Sequence, residues 1–419
     1  MTSINLSNKK DLINTFLLVI FYSLCFYAIQ FLLFKTGLVP KMPTSDNLLS
    51  WDAGWYRSIA VNGYTFNKDA QSNTGFFILF PEVWKITKLG AWGISFLNIT
   101  IFAFGFSILS SIFRLSFADK LLWLSMPAAF YVFVPYSEAL FFFLAAVCCL
   151  AIEKDIKWLL WVALFFLSLT RATTIFLLPA FLVMDLVGND KNNWRRSLRL
   201  YAKWHAVPLL AGLTSFVLYQ YSVTGIWFAY FIQQSEHWSH KYTLPEFPLR
   251  NPTGYSMVWL SALAVFICFL AFLILITKIR DWWVQNHQAN KLLILSVGYL
   301  SMTLYIMLSF NVPTTVLGVF RYALMNPFFY VFLSNLTRQT YSGRTYVLVF
   351  LLTNLVWLFF GSAAHIRLLL LFTLNTLLVL IYMAYADKKS NWPLIILTGV
   401  NIISQVFFFQ QFINNVLVD

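Results

Sequence analysis

Four charged side chains could do chemistry: Asp52 in an aromatic loop segment, and Glu138, Arg171 and Arg321 at the edges of strongly apolar stretches, where an ionised group is costly. A carboxylate in that setting can act as a base, and a guanidinium fork matches the oxygens of a phosphate. Asp52 lies in Ser50-Trp51-Asp52-Ala53-Gly54-Trp55-Tyr56-Arg57-Ser58-Ile59-Ala60-Val61-Asn62-Gly63-Tyr64. Ser50 is a natural N-cap and Gly63 a natural stop, so the segment predicts a short helix over about 51–61. On that helix Trp51, Trp55 and Ile59 share one face, which suits a helix lying along a membrane interface, and Asp52 with Tyr56 forms the adjacent face. Asp52 falls in the first turn, where the amide dipoles favour an ionised carboxylate. Two readings stand side by side: a base, or an acid that merely improves the helix start.

Glu138 follows Tyr136 and Ser137 at the hinge made by Pro135, at the head of an apolar helix. It serves either a functional pocket or only the helix N-terminus, with Ser137 as cap. Arg171 and Arg321 flank apolar runs against the charge bias described below, which calls for an anionic partner. For Arg171 that partner is Glu138, Asp52 or a ligand phosphate; Arg321 holds a phosphate or reaches the interface along its own stem. A second polar loop reads Gln233-Gln234-Ser235-Glu236-His237-Trp238-Ser239-His240. Two histidines with one acid form a weak metal pattern, and the amides and tryptophan suit sugar contacts as well as any extracytoplasmic loop.

The elements that must position these residues are membrane helices. Of 419 residues, 60 % are apolar and 11 % charged, which excludes an ordinary soluble enzyme. The formal charge of +13 is spread in small groups between apolar runs, a topology signal rather than a nucleic-acid face. Cys25, Cys148, Cys149 and Cys268 lie inside those runs and support neither disulfides nor a zinc site. The hydrophobic pattern predicts an all-α polytopic bundle of about 13 membrane helices. These fall at 12–34, 91–113, 121–134, 138–152, 157–170, 173–187, 205–222, 255–277, 291–310, 319–335, 345–360, 366–384 and 392–410. The first is an uncleaved span, and several are short for a full crossing. With the N-terminus cytoplasmic, 18 of the 29 Lys and Arg fall on the inside, so the long loops 35–90 and 223–254 both face outward. The short runs between 121 and 187 predict a cavity open to the outer leaflet, through which an amphiphile could enter.

With Trp51-Asp52, Trp55-Tyr56, Ile59-Ala60 and Asn62-Gly63-Tyr64 in this spacing, the chain resembles the PIG-V family of mannosyltransferases, the GPI second-mannose enzymes and their prokaryotic relatives. That family carries WD-x-x-(W/H)-(Y/F)-x-x-IA-x-x-GY in its first outer loop. An aromatic-proline segment follows, here Gly75 to Pro81, with Glu82 after it. Further similarities are Tyr136-Ser137-Glu138-Ala139-Leu140, Thr170-Arg171-Ala172-Thr173, Gln233-Gln234 with Trp238, and Phe320-Arg321-Tyr322 with Pro327. Ile78 stands where the family often has a proline, and Ala172-Thr173 replaces Ser-Asn; both departures bear on the acceptor more than on the reaction class.

The resemblance implies a GT-C glycosyltransferase, with residues 1–222 as its catalytic module and 223–419 as a more variable transmembrane module. It would move mannose or a similar hexose from a polyprenyl- or dolichyl-phosphate donor to a lipid-linked or glycan acceptor, inverting the anomeric carbon. By that resemblance Asp52 and Glu138 are catalytic. Trp51, Trp55, Tyr56, Tyr64, Phe80, Pro81, Glu82, Tyr136, Ser137, Arg171, Gln233, Gln234, Trp238, Arg321 and Tyr322 contact substrate. No cofactor or nucleic-acid partner is called for, and a single Asp without a D-x-D pair favours metal independence. Compact loops favour a bacterial inner membrane over the endoplasmic reticulum. The alternative is a lipid-linked-sugar flippase or secondary transporter, whose coupling charges belong near the bilayer midplane rather than at one surface.

Overall fold

The computed structural model describes residues 6–238, 241–244, 258–311, 319–339, 341–357, 366–385 and 392–416. Its α-helices are, in chain order, α1 (Leu6–Lys35), α2 (Asp52–Asn62), α3 (Leu79–Thr87), α4 (Ala91–Phe113), α5 (Phe117–Leu124) and α6 (Glu138–Glu153). Then come α7 (Lys157–Ser168), α8 (Leu177–Val187), α9 (Trp194–Tyr201), α10 (Val207–Thr224), α11 (Ala229–Glu236) and α12 (Val258–Gln285). The last are α13 (Lys291–Ser309), α14 (Val319–Leu324), α15 (Pro327–Thr337), α16 (Gly343–Val356), α17 (Ile366–Tyr385) and α18 (Trp392–Ile413). Two-residue strands at Lys241–Tyr242 and Phe310–Asn311 pair antiparallel.

The protein is an all-α membrane protein. Among the described residues six helical stretches are long and apolar enough to cross a bilayer: Lys9–Lys35, Ala91–Phe113, Lys191–Thr224, Trp259–Gln285, Lys291–Ser309 and Trp392–Ile413. A seventh arises if the pair Pro127–Phe133 and Glu138–Glu153, bent by 108°, is one broken span. Of the roughly 13 spans expected from hydropathy, several are short or broken among the described residues, and the start of 255–277 and the end of 345–360 lie outside them. Residues 121–134 do not form one helix: α5 ends at Leu124 and a 3-10 segment runs Pro127–Phe133. The run 173–187 opens with a 3-10 turn at Ala172–Phe176, and 319–335 breaks between α14 and α15. There Asn326 caps α15 through the Phe329 N–H (2.9 Å), and Pro327 takes the first helical position, where it has no N–H to lose.

The chain forms two compact units that interleave in sequence, Met1–Thr174 with Trp204–Gln233 and Asn401–Val418, and Ile175–Lys203 with Gln234–Val400. The sequence reading placed one division, after residue 222. In the first unit α4 packs on α1 and α6, α6 on α7, and α7 on α10. Gly212 of α10 lets two helices approach closely, since a Cβ there would meet the Ser168 hydroxyl and come within 2.5 Å of the Phe165 carbonyl oxygen. Gly212→Ala is therefore expected to destabilise the fold by about 1–3 kcal/mol through overpacking, read as a lowered unfolding midpoint of the purified protein.

The second unit is built on α13, which packs against α8, α12 and α15. At one end of it Asn286 ties the α8–α9 connection to α12, accepting from the Lys191 N–H (2.9 Å) and donating to Asp190 Oδ1 (2.9 Å). The Asn192 N–H also donates to Asp190, and these two hydrogen bonds hold its carboxyl below the usual carboxylate range.

Candidate functional site

The helix read from the sequence at 51–61 is α2, and Gly63 ends it with φ 74°. Its start differs from expectation. Ser50 does not cap it; the Ser50 hydroxyl donates to the Asn47 carbonyl (2.9 Å). Instead the Asp52 N–H donates to the Tyr136 hydroxyl (3.2 Å), so a residue 84 positions away holds the first turn. Between them Trp51 has φ 56° and ψ −129°, a conformation that bulky L residues rarely adopt and that costs about 1–3 kcal/mol. The Trp51 indole N–H is buried with no hydrogen-bond partner among the described residues. A strained backbone and a buried donor without a hydrogen-bond partner among the described residues thus fall directly before Asp52; backbone outliers of this kind cluster at functional sites.

The buried face of α2 is Ala53, Tyr56, Ile59 and Ala60, not the Trp51–Trp55–Ile59 face expected to meet lipid. The change follows from packing. Trp55 stacks on Phe76 (6.0 Å between centroids), and the Tyr56 ring meets Phe76 (5.3 Å), Phe80 (5.1 Å) and Tyr136 (6.3 Å) edge-on. The Tyr56 hydroxyl reaches the Ser137 hydroxyl at 3.0 Å. Ser137 accordingly makes no cap bond to α6.

The hinge is pinned from α4. Asn98 donates to the carbonyls of both Val134 and Tyr136 at 2.8 Å, which fixes Tyr136 against α2 and Glu138 at the head of α6. Glu138 is fully buried and Arg171 is 8 % exposed. Arg171 Nη2 donates to Glu138 Oε1 at 3.1 Å, and the guanidinium lies 5.5 Å from the Phe141 ring centre. Of the partners considered for Arg171, Glu138 is a direct one. The Leu79 N–H donates to the Leu169 carbonyl (3.0 Å), tying the aromatic-proline segment to the turn that bears Arg171.

Asp52, Tyr56, Tyr136, Ser137, Glu138 and Arg171 are thus linked within the first unit, with Trp55 and Phe80 around them. Pro81 is buried in α3, where Glu82 pairs with Lys85 (3.7 Å). Tyr64 is built into the loop, donating to the Phe76 carbonyl (2.7 Å); burial pushes its phenol well above the ordinary tyrosine range. Gln233 also serves the loop. It accepts from the Ser72 N–H (3.0 Å) and donates to the Asn67 (2.7 Å) and Ala70 (3.4 Å) carbonyls.

Sequence reasoning missed Asn98 and two further amides of this unit. Asn73 accepts from the Thr65 N–H and donates to the Gly63 carbonyl and the Ser58 hydroxyl. Gln220 donates to the Thr74 carbonyl (2.8 Å) and accepts from the Tyr230 N–H (3.1 Å). The available signal was an amide inside an apolar run, as at Asn98 and Gln220. Gln233→Leu is expected to loosen the loop by about 2–3 kcal/mol, at roughly 1 kcal/mol per bond lost, seen as faster amide exchange over residues 67–75 with the helices unaffected.

The remaining candidates belong to the second unit. Gln234 lies on α11 and Trp238 just beyond it. Arg321 is buried on α14, its guanidinium 5.7 Å from the neighbouring Tyr322 ring centre. Of the histidine pair, His237 is described and His240 lies outside the described residues.

Chemically, the two candidate acids, Asp52 and Glu138, divide. Glu138 is buried in an ion pair, which keeps the pair neutral as a whole. Asp52 is half-buried on the first turn of a helix, where the amide dipoles favour a negative charge. No family model, curated protein or solved structure matches the chain.

Proposed function

We propose that the protein is a GT-C-type inverting glycosyltransferase like those of the PIG-V family. It would move mannose or a similar hexose from a polyprenyl- or dolichyl-phosphate donor to a lipid-linked or glycan acceptor. The observation that carries this reading is the placement of Asp52: first turn of a strained helix start, held by Tyr136 to the hinge that bears the Glu138–Arg171 pair.

In this reading Asp52 accepts the proton of the acceptor hydroxyl. The acceptor oxygen forms its bond to the sugar's anomeric carbon from the face opposite the donor phosphate, and the bond to that phosphate breaks with its electron pair. The departing lipid phosphate is an anion, and in this reading Arg171 offsets its charge, with Glu138 fixing the guanidinium. Tyr56, Trp55 and Phe80 supply an aromatic wall against which a sugar and a polyprenyl chain can pack. By the positive-inside bias the site faces outward, and the compact loops favour a bacterial inner membrane.

The test is incubation of the full chain in vesicles with radiolabelled polyprenyl-phosphate-mannose and extracted membrane glycolipids. Transfer of label to a new lipid or glycan with release of polyprenyl phosphate supports the reading. Intact donor moved across the bilayer without cleavage would point instead to the flippase.

A further inference from the structure

One surface of the second unit is unrelated to the Asp52 region. Between Lys191 and Lys203 the chain carries five cationic residues and no acid. Arg195, Arg196 and Arg199 on α9, and Lys203 just after it, are all exposed. At i, i+3 and i+4 spacing Arg195, Arg196 and Arg199 form one ridge. Trp194 is 47 % exposed, and the Arg195 guanidinium lies 5.4 Å from its ring centre.

The connection that leads into this ridge is tied to the end of α12. Besides the Asn286 bonds described above, the Trp282 indole donates to the Asn189 carbonyl (2.9 Å), and Lys191 Nζ donates to the Trp283 carbonyl (3.0 Å). α12 adds Lys278, the exposed Arg280 and a Trp283 that is 70 % exposed. The acids nearby are engaged: Asp281 with Arg280 (3.1 Å) and Asp190 with Asn192 and Asn286.

The place of this platform fixes what it meets. The spans Trp259–Gln285 and Lys291–Ser309 are joined by five residues, so their shared end must lie at a bilayer surface. There the available anions are the phosphodiesters of lipid headgroups, and exposed indoles settle at that depth. A topology signal needs only cationic charge in a loop. It requires neither a connection tied by hydrogen bonds to the neighbouring helix end nor two exposed tryptophans on the elements that carry the guanidinium groups.

We infer that the Trp194–Lys203 ridge and the end of α12 form a binding platform for anionic phospholipid headgroups of the adjoining leaflet. Arg forks take the phosphate oxygens while Trp194 and Trp283 lie among the glycerol and upper acyl groups.

The test uses the full chain in vesicles with spin-labelled phosphatidylglycerol or phosphatidylcholine, reading the motionally restricted fraction of each, and is indifferent to transfer activity. The wild type is expected to prefer phosphatidylglycerol several-fold, less so in high salt. The R195Q/R196Q/R199Q variant is expected to lower that preference by about threefold or more, and the Lys-substituted triple variant to keep most of it. K278Q/R280Q, which leaves α9 intact, is expected to lower it partly and decides the matter if the first variant fails to insert. Unchanged preference in the glutamine variants that insert overturns the proposal. So does a preference erased by millimolar inorganic phosphate, which would assign the platform to a free anion.

Discussion

Asp52→Asn is expected to lower the rate of sugar transfer by about 10²–10⁴-fold, the range lost when a positioned general base is removed. The substitution is nearly isosteric, and the backbone N–H that binds Tyr136 remains. What the fold loses is the charge–dipole interaction at the start of α2, about 0.3–1 kcal/mol. The two consequences separate cleanly: the unfolding midpoint should move little while turnover at saturating donor collapses. Donor retention, measured by equilibrium binding, should stay near wild type because the carboxylate acts on the acceptor. Transfer within a few-fold of wild type would remove Asp52 as the base and leave the helix-start reading.

The second large effect concerns Glu138 and Arg171. Arg171→Ala leaves a fully buried carboxylate without its ion-pair partner and is expected to cost about 3–5 kcal/mol of stability. Replacing both residues with apolar ones of similar size, Glu138→Leu with Arg171→Met, is expected to recover most of that loss, since a buried pair gains little over good apolar packing. Stability and activity then part company. If the pair is only architectural, the double variant regains both. If Arg171 offsets the departing phosphate, it regains the unfolding midpoint and stays inactive. The coupling energy from the cycle of single and double variants reports the pair itself.

Much of the local architecture could be read from residue types. The aromatic segment after the first span becomes α2 within a residue of the expected range, Gly63 stops it at positive φ, and the span expected at 91–113 is α4. Pro135 marks the hinge, and Glu138 was among the partners foreseen for Arg171. These succeed because they depend on neighbours in sequence or on a shortage of charged groups in an apolar chain.

What failed depends on distant residues. Ser50 looked like the cap of α2, but Tyr136 takes the N–H of Asp52 and Trp51 accepts a strained backbone between them. Ile59 was grouped with Trp51 and Trp55 on an interfacial face, but it is buried with Tyr56, which Phe76, Phe80 and Ser137 draw inward. For Asn98 and Gln220 the sequence offers only an amide inside an apolar run and not its partners, which are carbonyls where a helix breaks or a loop turns.

The last helix made has a bearing on how the protein is born. Gln405 of α18 donates to the carbonyls of Leu124 and Met126 (2.8 Å each), at the break that follows α5, and accepts from Tyr22 of α1 (2.6 Å). Gln410 reaches Gln30 of α1 (2.8 Å) and the Lys41 carbonyl (3.0 Å). During synthesis the carbonyls of Leu124 and Met126 wait for Gln405, which follows them by 281 and 279 residues. The first unit is therefore not finished until α18 is made, so nascent chains must be sheltered through elongation, and a stop codon anywhere before α18 would strike the oldest part of that unit.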